Sequence, residues 1–458
     1  MLQSEIVNSL FDNASIDDRK FEKKTWAEVG AVNFTQDQAS QPSKLIFSTY
    51  NMKDLFIIPR DGYIQLSLDF HRNDGKAFKP TDKYAVRNHV LSLFENIEIQ
   101  LSDHDHKVEE LRFNEHWANI VHLIKWSDDY ARSLGEETLF SKDYPNSVGH
   151  PLTCDVNADS FDATKASCNV GLFNRSMYVK DNQLIATLYL RDLPFFSHYY
   201  GIWTKARFRI ILTPNFAKPI VAAISRAEDG GPEGMHYKLS SAFLYVPEVT
   251  LMPETKARVL KAFNDGVVKI YKWQSIDCFQ SQQFAVNVST IQWTISSEIK
   301  KPSWMYIILV QDFTNDEYQQ KLTQIYNQWN IYSYSLMINN KEAFAESNLN
   351  FNRFKTHRLY NFIKENMNHF NDRESTNTGS QISFMDFCKL YRILSFNLED
   401  VDCNAVYNSR GDQSVSITFK ATVSPINQPL VVFAFVMREK EISFNYKNEK
   451  LEISLHSL

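Results

Sequence analysis

The sequence is poor in the residue types on which catalytic loops and phosphate sites depend. Its 458 residues include only 13 glycines, which leaves little material for a glycine-rich loop around a phosphate. No GxSxG, HExxH, P-loop or GxGxxG pattern occurs. We therefore expect no catalytic, cofactor-binding or metal-binding residues, and no enzymatic role.

Cysteine is also scarce, and its spacing excludes two common frameworks. The five cysteines are an odd number and form no short CxxC pair, which argues against a disulfide scaffold and against a cysteine zinc site. They are Cys154, Cys168, Cys278, Cys388 and Cys403. Reduced thiols, typical of a cytosolic or nuclear protein, are the expectation.

Long apolar runs and an excess of basic charge are missing as well. No stretch approaches the ~20 apolar residues of a spanning helix, and the first residues lack the basic start and apolar run of a secretory signal. The formal net charge is −5, with acidic and basic residues interleaved. A nucleic-acid-binding protein should instead carry a basic stripe, so we expect no direct sequence-specific contact with nucleic acid.

One histidine pair has the spacing of some metal sites. The segment Asp103-His104-Asp105-His106 contains an HxH pattern, which occurs in certain β-sandwich metal centres. No second His and carboxylate pair follows at strand spacing. A polar hairpin tip is therefore the preferred interpretation.

What the sequence does contain favours β structure in two domains. Aromatic residues make up 14% and hydrophobic residues 43%, enough for two cores of ordinary size. The stretch Gly62–Asp74 returns at Met305–Asp316, so that YIQLSLDF is echoed by YIILVQDF.

Further echoes follow in the same order along the chain. They pair 97–102 with 334–339, 113–114 with 351–352, 188–193 with 390–395, 208–215 with 417–425, and 241–250 with 433–443. Preserved order with drifting loop lengths indicates two copies of one β-rich domain.

Local patterns predict the elements within each copy. Residues 63–70 alternate between apolar and polar, as in a strand with one buried face. Trp117, Ile120, Val121 and Ile124 follow a helical period, which predicts a helix from Asn114 to about Arg132 with Asn114 as its N-cap. Pro253–Gly266 predicts a short linker helix.

These patterns divide the chain into five parts. We expect an N-terminal arm at 1–43 that becomes ordered on assembly, a first domain at 44–253, a linker helix at 254–266, a second domain at 267–445, and a C-terminal tail at 446–458 that forms one more edge strand. The long loop at 135–181, and less strongly 399–413, should be exposed to a partner.

The segment Val86–Leu101, together with Ala206–Asn215 and Leu239–Thr250, resembles the double jelly-roll major capsid proteins of virophages and Maverick/Polinton-like viruses. The resemblance spans roughly Lys44 to Asn445. It implies an all-β fold of two tandem jelly-roll β-sandwiches with short inserted helices.

The same resemblance implies a structural function. It predicts a homotrimer that forms pseudo-hexagonal capsomers of an icosahedral shell, located in the virion and assembled in the host cytoplasm or nucleus. Its partners would be further copies of the chain, penton or minor capsid proteins and, indirectly, an internal membrane. No catalytic, cofactor or metal residue is implied.

A different class remains as the alternative. A double-sandwich enzyme, such as a copper monooxygenase or a glycan amidase, would share the fold class. Such enzymes are mostly secreted with disulfides, so the cysteine count and the N-terminal sequence count against this alternative.

Overall fold

The computed structural model describes most of the chain. The described residues are 21–34, 42–50, 52, 56–78, 84–101, 106–144, 170–197, 199, 201–204, 207–216, 221–223, 235–264, 268–311, 326, 329–369, 379–399, 414–425, 429–447 and 450–456.

Residues 21–251 form the first sandwich. Its strands are β1 (Phe21–Gly30), β2 (Leu45–Ser48), β3 (Phe56–Ile57), β4 (Tyr63–Arg72), β5 (Tyr84–Val86), β6 (Phe94–Leu101), β7 (His106–Arg112), β8 (Gln183–Tyr189), β9 (Trp203–Thr204), β10 (Phe208–Pro214), β11 (Val221–Ala223) and β12 (Met235–Leu251). One sheet has the order β1-β12-β4-β8, with β3 added beside β12 and β9 beside β3. The facing sheet has the order β2-β10-β6-β7.

Residues 268–456 form the second sandwich. Its strands are β13 (Val268–Gln280), β14 (Thr290–Ile299), β15 (Pro302–Gln311), β16 (Ile331–Ile338), β17 (Lys341–Glu346), β18 (Leu394–Asn397), β19 (Val415–Val423), β20 (Leu430–Lys447) and β21 (Lys450–His456). The sheets have the orders β13-β20-β15-β18, with β21 added beside β20, and β14-β19-β16-β17.

Eight strands of each sandwich therefore share one connectivity. Numbered along either half, the strands pair in the orders 1-8-3-6 and 2-7-4-5, and all of these pairs are antiparallel. Eight antiparallel strands in two packed sheets with this connectivity form a jelly roll. The fold is thus a double jelly roll, as predicted.

The strand echoes fall on equivalent strands, but two of them are out of register. Tyr63 pairs with Tyr189 and Tyr306 with Ser395, which lies four residues beyond the Tyr391 that the echo matched with Tyr189. If Tyr63 in β4 is equivalent to Tyr306 in β15, their cross-strand partners make Tyr245 equivalent to Phe435 and Phe243 equivalent to Phe433. The echo between 241–250 and 433–443 was predicted two residues out of this register. Because aromatic and small residues recur every two positions in both strands, the sequence alone allows either of these two alignments.

Part of the expected arm belongs to the first sandwich. Phe21–Gly30 pairs along β12 from Leu251 to Phe243, so this segment is the first jelly-roll strand and is ordered within a single chain. Its inner-face side chains, such as Val29, are half-buried, while the outer face carries charges. The C-terminal tail pairs with β20 as β21, so its prediction as an edge strand is confirmed.

Short helices lie between the strands. They are α1 (Asn114–Lys125), α2 (Asp128–Ala131), α3 (Leu134–Glu137), α4 (Val170–Met177), α5 (Pro194–Ser197), α6 (Pro253–Asn264), α7 (His357–His369) and α8 (Phe384–Lys389). The predicted linker helix is present as α6. None of these helices is both long and apolar enough to cross a membrane.

The inserted helix α1 differs from its prediction at both ends. Phe113, in a left-handed conformation (φ 53°), precedes the helix. The buried Asn114 is not the N-cap, since its amide donates to the Phe94 carbonyl at 2.9 Å and its Oδ1 accepts from Trp117 Nε1 at 2.9 Å. At the other end Trp126 is extended and stacks on Tyr130, so the helix stops at Lys125.

Both described ends of the loop at 135–181 contain buried residues beside exposed ones such as Tyr144 and Met177, so its exposure to a partner stays a prediction. Thr138, Asp143 and Arg175 are each at most 1% exposed. Residues 145–169 and 400–413 lie outside the described residues, as do His104 and its neighbours at 102–105. The side chain of His106 is not described either.

Candidate assembly interface

The two sandwiches meet along a buried seam, formed by β7, α1, α4, α5 and residues 138–143 of the first sandwich against β13, β20 and residues 379–391 of the second. Its aromatic part joins rings from both halves. Phe113 lies 5.1 Å from Phe433 between ring centroids, edge to face, and Phe195 lies 5.0 Å from Trp273 in the same manner. Such pairs contribute about 0.5–1.5 kcal/mol beyond the area they bury.

A buried carboxylate lies beside the aromatic part. Glu109 on β7 is 1% exposed and accepts from Trp273 Nε1 at 2.7 Å and from Ser275 Oγ at 2.5 Å. Lys440 Nζ lies 3.7 Å from Glu109 Oε1. Burial raises the pKa of Glu109, while Lys440 and the two hydrogen bonds oppose the rise. The carboxylate thus links the first sandwich to two strands of the second.

A second polar cluster closes the opposite part of the seam. Arg175 Nη2 lies 2.8 Å from Asp143 Oδ1, and both side chains are buried. Tyr391 of the second sandwich donates its hydroxyl to the Asp143 carbonyl. Next to it, Lys142 Nζ lies 2.7 Å from Asp386 Oδ2 across the seam.

The end of α1 is also completed by the second sandwich. The backbone N–H of Gly379 donates to the Lys125 carbonyl at 3.0 Å, and that of Gln381 donates to the Leu123 carbonyl at 2.9 Å. The last carbonyls of a helix have no partner within the helix. Here the partners of these carbonyls are amides that lie 254 and 258 positions further along the chain. The two sandwiches thus pack as one unit.

The outer face of the β13-β20-β15-β18 sheet is covered within the chain. Tyr306, Phe433 and Phe435 point away from the β14-β19-β16-β17 sheet, and each is at most 8% exposed. Phe433 is covered by Phe113 and by His116, whose ring lies 4.7 Å away. The first sandwich thus packs over Phe433, whereas the Tyr306 hydroxyl accepts from Asn366 on α7 of the second sandwich itself.

The equivalent face of the first sandwich is aromatic but open in the described part of the chain. Tyr63 stacks on Tyr245 at 5.0 Å and lies 5.4 Å from Trp26 and 6.1 Å from Tyr189. Trp26 is 53% exposed, and Ile185 on the same face is 61% exposed. We call this surface, formed by Trp26, Tyr63, Ile185, Tyr189, Phe243 and Tyr245, the open aromatic face.

Sequence reasoning named no site residue, and it missed both surfaces. The seam residues come from distant segments whose approach depends on the tertiary fold. One feature of the sequence did indicate the open aromatic face. Tyr63 lies on the polar face of an alternating strand, where a large aromatic side chain is unusual. Among the described residues, Cys278 and Cys388 are free thiols, and burial raises the pKa of both.

The sequence has no match among protein-family models or curated proteins, but solved structures match nearly all of the chain. The Sputnik virophage structure, determined by cryo-EM at 3.5 Å, matches with a TM-score of 0.63 and 13% identity over 98% of this chain and 91% of that chain. The mavirus major capsid protein matches with a TM-score of 0.53 and 10% identity over 97% and 92%. The Faustovirus major capsid protein matches with 0.52 and 10% over 96% and 97%. The predicted resemblance is confirmed at the level of the fold.

Proposed function

We propose that the chain is a major capsid protein with a structural role, and that three copies form a pseudo-hexagonal capsomer of an icosahedral virion. The fold it shares with the mavirus and Faustovirus capsid proteins supports this. The observation that carries it is the asymmetry between equivalent faces. The second sandwich has its outer aromatic face covered within the chain, at Phe433 by the first sandwich and at Tyr306 by α7, whereas the first sandwich has its own aromatic face open in the described residues.

A head-to-tail ring accounts for this asymmetry. If the second sandwich of one copy packs over the open aromatic face of the next copy, every sandwich has the same kind of neighbour. Contacts that join unlike surfaces form a closed ring when the rotation between copies closes. Three copies place six similar sandwiches around one axis, and the division of each chain at α6 into two such units is part of this proposal.

Molecular mass provides the first test of this function. Light scattering coupled to gel filtration should give a particle mass of three times 53.3 kDa for the purified chain. Electron micrographs should show hexagonal particles or sheets. A monomer that binds copper or cleaves glycans would instead support the double-sandwich enzyme.

A matched pair of variants tests the surface. Trp26→Glu places a charge on the open aromatic face and should convert the trimer into a folded monomer, because a buried unpaired charge strongly opposes association. Val286 has nearly the same exposure, 51% against 53% for Trp26, but it lies away from that face. Val286→Glu should leave the trimer intact. Trimers of undiminished stability with Trp26→Glu would contradict this surface.

A further inference from the structure

A cluster of buried polar side chains lies beneath α1, within the first sandwich. His89 precedes a 3-10 turn at Val90–Leu93, His122 lies on α1, and Asp192 ends a 3-10 turn at Leu190–Asp192. The side chains of His122 and Asp192 are 2% exposed, and His89 is 1% exposed. Their potential ligand atoms all lie within 4.8 Å of one another.

Three atoms of this cluster have no hydrogen-bond partner in the described residues. They are His89 Nε2, His122 Nε2 and one carboxylate oxygen of Asp192, Oδ2. Leaving a buried polar group unpaired costs about 1–3 kcal/mol. Three such atoms, on side chains that each place a ligand atom within 4.8 Å of the other two, therefore indicate a ligand.

The other ring nitrogens establish which of these atoms donate. His89 Nδ1 accepts from the Leu91 N–H at 3.1 Å, so the proton of neutral His89 is on Nε2, which is a donor. His122 Nδ1 lies 2.7 Å from the Ala118 carbonyl and donates to it, so His122 Nε2 is an acceptor. The site therefore offers one N–H donor, one nitrogen acceptor and one carboxylate.

This donor set excludes ions. A cation would face the Nε2–H of His89, and an anion would face the Asp192 carboxylate. The spacing is also wider than in a zinc site, where Zn–N bonds of about 2.0–2.1 Å place ligand atoms about 3.3 Å apart. His122 Nε2 and Asp192 Oδ1 are 3.9 Å apart.

A neutral molecule that both donates and accepts fits the site. One ligand atom from each side chain lies within 4.8 Å of the other two, so these atoms share a point no more than about 2.8 Å from each, which is an ordinary hydrogen-bond distance. Water can accept from His89 and donate to His122 and Asp192, and about three bonds is the usual number for an internal water. We propose that His89, His122 and Asp192 hold a single internal water molecule, which makes this corner of the first sandwich sensitive to acid.

Acid disrupts the arrangement because a protonated His122 no longer accepts at Nε2. Burial lowers the pKa of both histidines below the ordinary 6.5. For His122 the Asp192 charge opposes this and Lys125 reinforces it. Other titratable groups around the cluster are Tyr130, Tyr189 and Arg191. As the pH falls below 6.5, the unfolded chain binds protons that the folded chain does not, so folding stability falls with pH.

The cluster is connected to the seam through neighbouring residues. Asn88 donates to Asn119 at 2.8 Å, and Asn119, one turn before His122, donates to the Tyr326 hydroxyl at 3.2 Å. Acid should therefore loosen α1 where it contacts the second sandwich.

A high-resolution map and an acid series test the inference. Density should appear about 2.7–3.0 Å from all three atoms. Between pH 7 and pH 5 the melting temperature of the wild-type chain should fall by roughly 4 °C more than that of the His89→Gln, His122→Gln double variant. His357→Gln, at an exposed histidine on α7, should keep the wild-type acid response.

Two results would overturn the inference. One is a zinc ion that co-purifies at one per chain and shows density about 2.1 Å from the three side chains. The other is the same acid response in wild type and in the histidine variants. Should the double variant fail to fold, His122→Gln alone should reduce the acid response by about half.

Discussion

At the residue scale, the buried charges are the most sensitive points of the molecule. Arg175 is fully buried and donates to the Val86 carbonyl at 2.9 Å, to the Ser141 carbonyl at 2.7 Å and to Asp143. These bonds fix the segment at 141–143 on which the contacts with Asp386 and Tyr391 depend. Sequence alone gave no sign of this, because Asp143 and Arg175 lie 32 residues apart in a stretch that reads as a polar loop.

We predict that Asp143→Asn destabilises the chain by about 3–5 kcal/mol, because it leaves the Arg175 charge buried without its counter-ion. Denaturant unfolding followed by fluorescence measures the loss. Glu254→Gln breaks an exposed pair on α6, where Glu254 and Arg258 are 78% and 49% exposed, and serves as the control. It should change stability by about 0.5 kcal/mol or less. If the two changes lowered stability equally, the ion pair between Arg175 and Asp143 would not be shielded from water as described.

At the element scale, the predictable strands were those whose two faces differ in polarity. In β4 every inner residue from Ile64 to Phe70 is at most 2% exposed. The alternation of this strand and its repeat in β15 could therefore be recognised in the sequence. The helix α1 was also found, but its end was misplaced because the Gly379 and Gln381 amides that complete it come from the other sandwich. No local pattern contains that information.

The strand β1 was missed for a related reason. It is an edge strand whose outer residues are charged and whose inner residues are only half-buried, so its composition is that of a solvated segment. Only its pairing with β12 identifies it as a strand.

We predict that Val29→Asp destabilises the first sandwich by about 2–3 kcal/mol, because Val29 packs against the core beside Leu244 and a carboxylate there loses its hydration. Lys23→Asp changes the charge at an exposed position of the same strand and should have little effect on stability. Hydrogen exchange should be slow at the alternate amides of 21–30 that bond to β12 in the wild type, and fast at the same amides in Val29→Asp. Fast exchange of this segment in the wild type would contradict its place in the sheet.

At the scale of the whole molecule, the seam makes two similar domains into one rigid building unit. Aromatic rings, a buried carboxylate and backbone hydrogen bonds all cross it. The proposed ring of six sandwiches would gain from such a unit, because the association of rigid partners loses less conformational freedom than that of loosely linked domains. In that proposal the open aromatic face has to find only one orientation of its neighbour.

The strength of this coupling can be measured with a double-mutant cycle on Phe113 and Phe433. Each single change to Ala should cost about 3 kcal/mol or more if the vacated space stays empty. Because the rings contact each other across the seam at 5.1 Å, the double variant should lose about 0.5–1.5 kcal/mol less than the sum of the singles. Any strain from the left-handed backbone at Phe113 appears in both Phe113 variants and cancels in the cycle. Phe419, buried in the second sandwich on β19, supplies a control pair with Phe113 that should be additive within about 0.5 kcal/mol. Additivity of Phe113 and Phe433 as well would mean that the sandwiches do not support each other through these rings, and the rigid-unit account of assembly would then lose its energetic basis.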